Sequence, residues 1–121
     1  MKRAISLLGM LVCILAPSLA YSVDGNTWIK LPEDVQVGYL GGLWDGWSYV
    51  LSEGMAYLKK YPDATPGAVE TGLAEVLNCH KGKPYTQLNA IVEKYMKDHP
   101  AIWHYSMPSL AFVAIKEACV K

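Results

Sequence analysis

Residues 32–60 read PEDVQVGYLGGLWDGWSYVLSEGMAYLKK, and the spacing within them decides the fold class. Leu40, Leu43, Trp44, Trp47, Val50, Leu51, Met55 and Leu58 recur three or four residues apart, which puts them on one side of an α-helix. At ~100° per residue they fill a single wedge, with Asp45, Ser48, Ser52 and Lys59 on another side. Pro32 fits a first helical turn, and Glu33 and Asp34 suit the positive end of the helix dipole. Pro62 stops the pattern. The stretch predicts a core-facing amphipathic helix running to about Lys60.

The same helix carries a second pattern. Gly38, Gly42 and Gly46 stand four residues apart and form a shallow ridge displaced from the apolar wedge, continued by Tyr49 and Ala56. Glycine inside a helix costs ~1 kcal/mol against alanine, so three together call for a physical reason. Close approach of another backbone supplies one. The first expectation is a second helix of the same chain crossing there. A homodimer seam or a partner groove is the alternative.

The flanking sequence is helical too. Tyr21 to Lys30 is polar and without periodicity, which predicts an extended or mobile lead-in with Trp28 pinned against the domain. Thr65 before Pro66 reads as a cap and first turn, followed by a short stripe of Val69, Leu73, Val76 and Leu77. Asn78 to Tyr85 is a loop broken by Gly82 and Pro84. Thr86 is the expected cap of a helix whose apolar face is Leu88, Ile91, Val92, Tyr95 and Met96; His99-Pro100 ends it. Ser106 caps a last helix, apolar nearly all round from Leu110 to Ala118, which belongs at the centre of the bundle. The fold class is all-α: one small bundle of about four helices.

The N-terminus sets the compartment. Lys2 and Arg3 precede a short apolar run, Ala4 to Leu15, and Ser18 and Ala20 offer the small residues that a signal peptidase reads. A membrane span needs ~20 apolar residues, so residues 1–20 read as a cleaved export signal rather than an anchor. Residues 21–121 are then a single periplasmic domain. Cys13 leaves with the signal, and Val12 before it is a poor lipidation context. Without Lys2 and Arg3, the 11 basic side chains fall to nine against 11 acidic ones. That balance offers no basic field for nucleic acid or an anionic membrane surface.

Cleavage leaves two cysteines, Cys79 and Cys119. In an exported chain such a pair forms a disulfide, here stapling the far ends of two helices and contributing ~3–4 kcal/mol in the chain-entropy model. The competing reading is a reactive Cys79 thiol with His80 as its base. Neighbours in sequence rarely meet in catalytic geometry, and that reading leaves Cys119 idle. His99 and His104 are five apart across a proline, unlike the spacing of helical metal ligands. Asp45 and Glu53 read as solvated helix-face residues, and no serine sits in a nucleophile elbow. The expectation is no catalytic residue, no metal and no cofactor; an enzyme would need His80, His104 and a carboxylate gathered in one pocket.

Taken in order, several of these residues resemble a known family. Gly38-Tyr39 with Gly42, then Cys79, Thr86-Gln87-Leu88, Tyr95-Met96, His99-Pro100, His104, Leu110, Ala114 and Cys119 are similar to the small exported immunity proteins called Rap and Tai, which accompany type VI secretion systems. The likeness spans Val37 to Cys119 and is strongest after Cys79. Gln36 stands where that family usually has a further cysteine, Met55 to Asn78 is longer, and His80-Lys81 replaces an apolar-proline turn. The resemblance implies an all-helical, periplasmic and often dimeric protein. It also implies a role: binding and occluding a peptidoglycan-cleaving amidase without chemistry of its own.

In that role the expected partner is a cognate cell-wall amidase effector. The loop His80 to Tyr85 would be held in its cleft, with His80, Lys81, Lys83 and Tyr85 as an aromatic and basic contact set and Trp103 as a second anchor. The alternative function is a small periplasmic acid-stress chaperone, which would expose apolar surface when acid loosens a dimer.

Overall fold

Asp24 caps a single helical turn: its Oδ1 accepts the Thr27 amide at 2.8 Å, the bond that a helix N-cap supplies. The computed structural model describes residues 23–119. The expected export signal, residues 1–20 with Cys13, lies outside them. Among the described residues the chain forms five α-helices, one 3-10 turn and no strand. They are α1 (Gly25–Trp28), α2 (Glu33–Lys60), α3 (Ala68–Cys79), α4 (Tyr85–Asp98) and α5 (Met107–Glu117), with the 3-10 turn Pro100–Ile102 before α5. None of these helices is long and apolar enough to cross a membrane.

The described part of the lead-in, from Val23, thus holds one helical turn in place of the expected extended or mobile segment, and backbone pairing explains why. The amides of Gly25 and Asn26 donate to the carbonyls of Tyr105 and Trp103, and the Met107 amide donates to Val23 O at 2.7 Å. These bonds stitch the segment to the turn before α5. A Cβ on Gly25 would fall 2.8 Å from the Trp103 backbone, so the close approach requires glycine. Trp28 is fully buried, as its size suggests, with its ring edge-on to Tyr39.

The long helix spans the predicted range, between Pro32 and Tyr61 as its caps. Its wedge is covered unevenly. Leu40 is buried and Leu43, Trp44, Trp47 and Leu51 are half-buried, whereas Val50 and Met55 are exposed. The two expected threonine caps are displaced. Gly67 occupies the N-cap of α3 and Pro84 that of α4, leaving Thr65 outside its helix and Thr86 inside. Ser106 does stand at the N-cap of α5, but its Oγ lies 3.0 Å from Ser109 Oγ and bonds no backbone amide.

The core forms where α5 lies against α3, α4 and α1. Val76, Leu88, Val92, Met96, Leu110, Ala114 and Ile115 meet there, nearly inaccessible to water. Only part of α5 is central, because Val113 remains exposed. A buried polar relay joins three elements: Gln36 Nε2 donates to Trp28 O at 2.9 Å, and Asn89 Nδ2 donates to Gln36 Oε1 at 3.1 Å. Gln36 is 3% exposed. It therefore ties α1 to α2 and α2 to α4, work that an apolar residue at this position would leave undone.

Candidate functional site

Cys79, His80 and Cys119 gather where α3 and α5 end. Cys79 is the last residue of α3 and Cys119 lies two past the end of α5. Their Cα atoms are 5.9 Å apart, and the two residues form a disulfide at the separation such a bond requires. His80 follows as the C-cap of α3 and is 1% exposed. Its Nε2 donates to the carbonyl of Ile115 at 2.8 Å, and its Nδ1 accepts from Lys83 Nζ at 2.9 Å. The histidine thus crosslinks the same two helices as the disulfide. On the surface Lys116 and Glu75 pair across them as well, a contact of little energetic weight at that exposure.

This arrangement corrects the expected contact loop. His80 is interior and cannot reach a partner, and Lys83 folds back on its ring. Tyr85 begins α4 and lies against Gly41, where a Cβ would meet its ring at 3.3 Å. Lys81 remains exposed. Trp103 is half-buried against the core, and its Nε1 donates to Met96 O at 2.7 Å. His80 and Lys83 belong to a structural clasp and Trp103 packs on the core, whereas Lys81 and Tyr85 stay on the surface. Spacing alone could not show this, because an adjacent Cys-His pair and nearby lysines look the same whether they face water or fold inward.

The other two histidines close turns. His99 caps α4, donates from Nδ1 to Tyr95 O at 2.9 Å and packs its ring on Tyr95. His104 packs on Tyr105. Asp45 and Glu53 are exposed on α2.

Open surface lies elsewhere. Gly38, Gly42 and Gly46 are exposed, and a Cβ built on any of them meets nothing within 4 Å. Among the described residues no helix crosses the ridge, so none of them supplies the expected intrachain contact. Tyr49, next along it, is 67% exposed. On the neighbouring side of α2 a groove of about 570 Å³ opens between α2, α3 and α5. Trp47, Val50, Val69, Leu73, Phe112 and Val113 line it, and Ser109 is the one polar side chain among its lining residues. None of the described residues that line it is charged. Val69 in its wall is 64% exposed, and Met55 and Tyr57 are exposed farther along α2.

Three groups have shifted acidities. Hydrogen bonds from Thr27 hold the Asp24 carboxyl below its ordinary range. Burial pushes the Tyr39 phenol up. The Asp98 carboxylate beside Lys94, with Nζ 2.7 Å from Oδ2, raises that ammonium. All three are explained by caps, packing and a surface pair.

No family model, characterised protein or solved structure matches the chain.

Proposed function

We propose that this protein is a periplasmic immunity protein of the type VI secretion kind. It acts as a stoichiometric inhibitor, with no chemistry of its own, that binds and occludes a cognate peptidoglycan-cleaving amidase. The observation that carries the binding role is the uncharged groove between α2, α3 and α5 together with the exposed apolar residues around it. Apolar surface of this extent marks a place where another molecule sits. The ordered residues from Gly38 to Cys119 that resemble the Rap and Tai proteins supply the class of partner.

The contact surface in this reading is the α2 ridge and the adjoining groove, with Lys81 at most a rim contribution. Tyr49, Val50 and Val69 are the anchors, since aromatic and branched side chains that desolvate fully dominate such interfaces. The clasp at Cys79, His80 and Cys119 keeps α3 and α5 in register beneath the groove, so little ordering is left for the binding step.

Co-purification of the mature protein with cell-wall amidases encoded beside it tests the proposal. A complex is expected that protects cells against periplasmic amidase, and Val50→Asp with Val69→Asp should abolish it while helicity is kept. Absence of both binding and protection contradicts it. The same apolar surface also favours an acid-stress chaperone. Aggregation assays separate the two: a chaperone protects many clients at low pH, whereas an immunity protein binds one partner at neutral pH.

A further inference from the structure

The clasp at the ends of α3 and α5 contains more ligand chemistry than a disulfide uses. One donor atom each from Cys79, His80 and Cys119 lie within 4.8 Å of one another. We propose that these three side chains form, when the disulfide is reduced, a site for a thiophilic divalent ion of the zinc class, so that the disulfide and the ion are alternative ties between the same two helix ends.

The geometry is close to what such an ion needs. Zinc bonds of about 2.3 Å to sulfur and 2.0–2.1 Å to nitrogen at tetrahedral angles set donor atoms roughly 3.5–3.8 Å apart. Opening the disulfide lets the sulfurs separate to that distance, and the nitrogen has roughly 1 Å to close. Side-chain rotation covers such a change, because Cys119 lies beyond the last turn of α5 and Cys79 sits on the surface. The third donor is already oriented. His80 is buried and held by the Ile115 carbonyl, the kind of second contact that fixes a ligating imidazole. Three protein ligands leave the fourth position for water.

Lys83 opposes the ion. Its ammonium donates to His80 Nδ1 in the oxidised protein. With Nε2 kept on the Ile115 carbonyl, Nδ1 is the nitrogen that ligates, and the lysine must leave it. Lys83 then swings into water, which its half-exposed, flexible side chain permits. Removing that cation should therefore strengthen the site.

Both steps balance. A dithiol reductant exchanges with the disulfide, gives two electrons and two protons to yield two thiols, and is itself oxidised to a disulfide. The ion then binds two thiolates and one imidazole nitrogen, releasing the two thiol protons. Ion affinity therefore falls as pH is lowered.

The test uses the mature protein, reduced by a dithiol, freed of reductant without oxygen, and titrated with zinc against a chromophoric chelator. Cobalt serves as the spectroscopic probe and circular dichroism follows the fold. One ion per chain is expected on the reduced protein and none on the oxidised, with thiolate-to-cobalt absorption and a rise in melting temperature on zinc addition. His80→Gln should weaken binding by more than about tenfold, the loss seen even for outer contacts of a metal site, and Lys83→Met should tighten it. The proposal is overturned if reduced protein binds zinc no better than the Cys79→Ser/Cys119→Ser variant. Equal affinity of parent and His80→Gln overturns it as well, as does a reduced chain that stays unfolded with zinc.

Discussion

Replacing Gly38, Gly42 and Gly46 together by alanine should make the protein more stable. In α2 each of these residues is exposed, and an added methyl group meets nothing within 4 Å beyond its own stretch of helix backbone. Nothing is displaced, so the change reduces to helix propensity and to the freedom that glycine gives the unfolded chain. Each substitution is worth up to ~1 kcal/mol, and the three together about 2–3 kcal/mol. For a domain of this size, where 1 kcal/mol moves the midpoint by about 4–8 °C, the melting temperature should rise by about 10–20 °C. Gly25→Ala is the internal control. Its methyl would lie 2.8 Å from the Trp103 backbone, so the same chemical change should destabilise. Urea unfolding at low protein concentration reads both. A net loss of stability in the triple variant would mean that the ridge packs against the chain's own atoms, and the placement of the open surface would be wrong. In the proposed role the triple variant also binds the amidase less well, because the added methyl groups hold a partner backbone away from α2.

Three further outcomes follow from the clasp, the polar relay and the first cap. Reducing the Cys79–Cys119 disulfide in metal-free buffer should lower unfolding free energy by about 4 kcal/mol, from the loop-entropy relation applied to its separation of 40 residues; unchanged urea midpoints would contradict this. Gln36→Ala leaves the Trp28 carbonyl and the Asn89 amide without their partner and should cost about 2–3 kcal/mol by chemical denaturation, since a buried polar group stripped of its bond loses ~1–3 kcal/mol. The Asp24 carboxyl is held below its ordinary range by Thr27, so the folded state favours the ionised form. Its contribution is complete above the unfolded-state value of 3.8 and disappears as pH falls through the lower folded value. Asp24→Ala should therefore reduce stability at neutral pH and converge with the parent in acid, as followed by melting temperature against pH.

Sequence patterning made the all-helical class and the disulfide legible for definite reasons. The apolar wedge from Leu40 to Leu58 has helical period over many turns, and Cys79 and Cys119, once Cys13 is set aside with the expected signal, have one intramolecular pairing to make. Helix starts were harder to read. Thr65 and Thr86 look like caps, yet it is Gly67, two past Thr65, and Pro84, two before Thr86, that take the extended backbone of the cap. α1 escaped notice because a four-residue turn has no period to detect; its signal was the Asp24 to Thr27 spacing of an N-cap bond. Gln36 gave no warning either, since one polar residue in an amphipathic helix reads as solvent-facing until its partners Trp28 and Asn89 are placed.

The contact residues were the least legible part. His80, Lys83 and Trp103 have chemistry suited to an interface, but burial is a three-dimensional property, and all three turn inward to backbone carbonyls or to one another. The glycine ridge shows the converse. Its spacing indicated a surface for close approach, and only the positions of α3, α4 and α5 reveal that none of them occupies it.

The most direct measurement of the proposed role is cleavage of peptidoglycan by a candidate amidase encoded beside this chain, followed as the protein without residues 1–20 is titrated in. The immunity reading predicts complete inhibition at one equivalent, lost in the Val50→Asp/Val69→Asp variant. An amidase that keeps cutting at full rate with the protein in excess would contradict it.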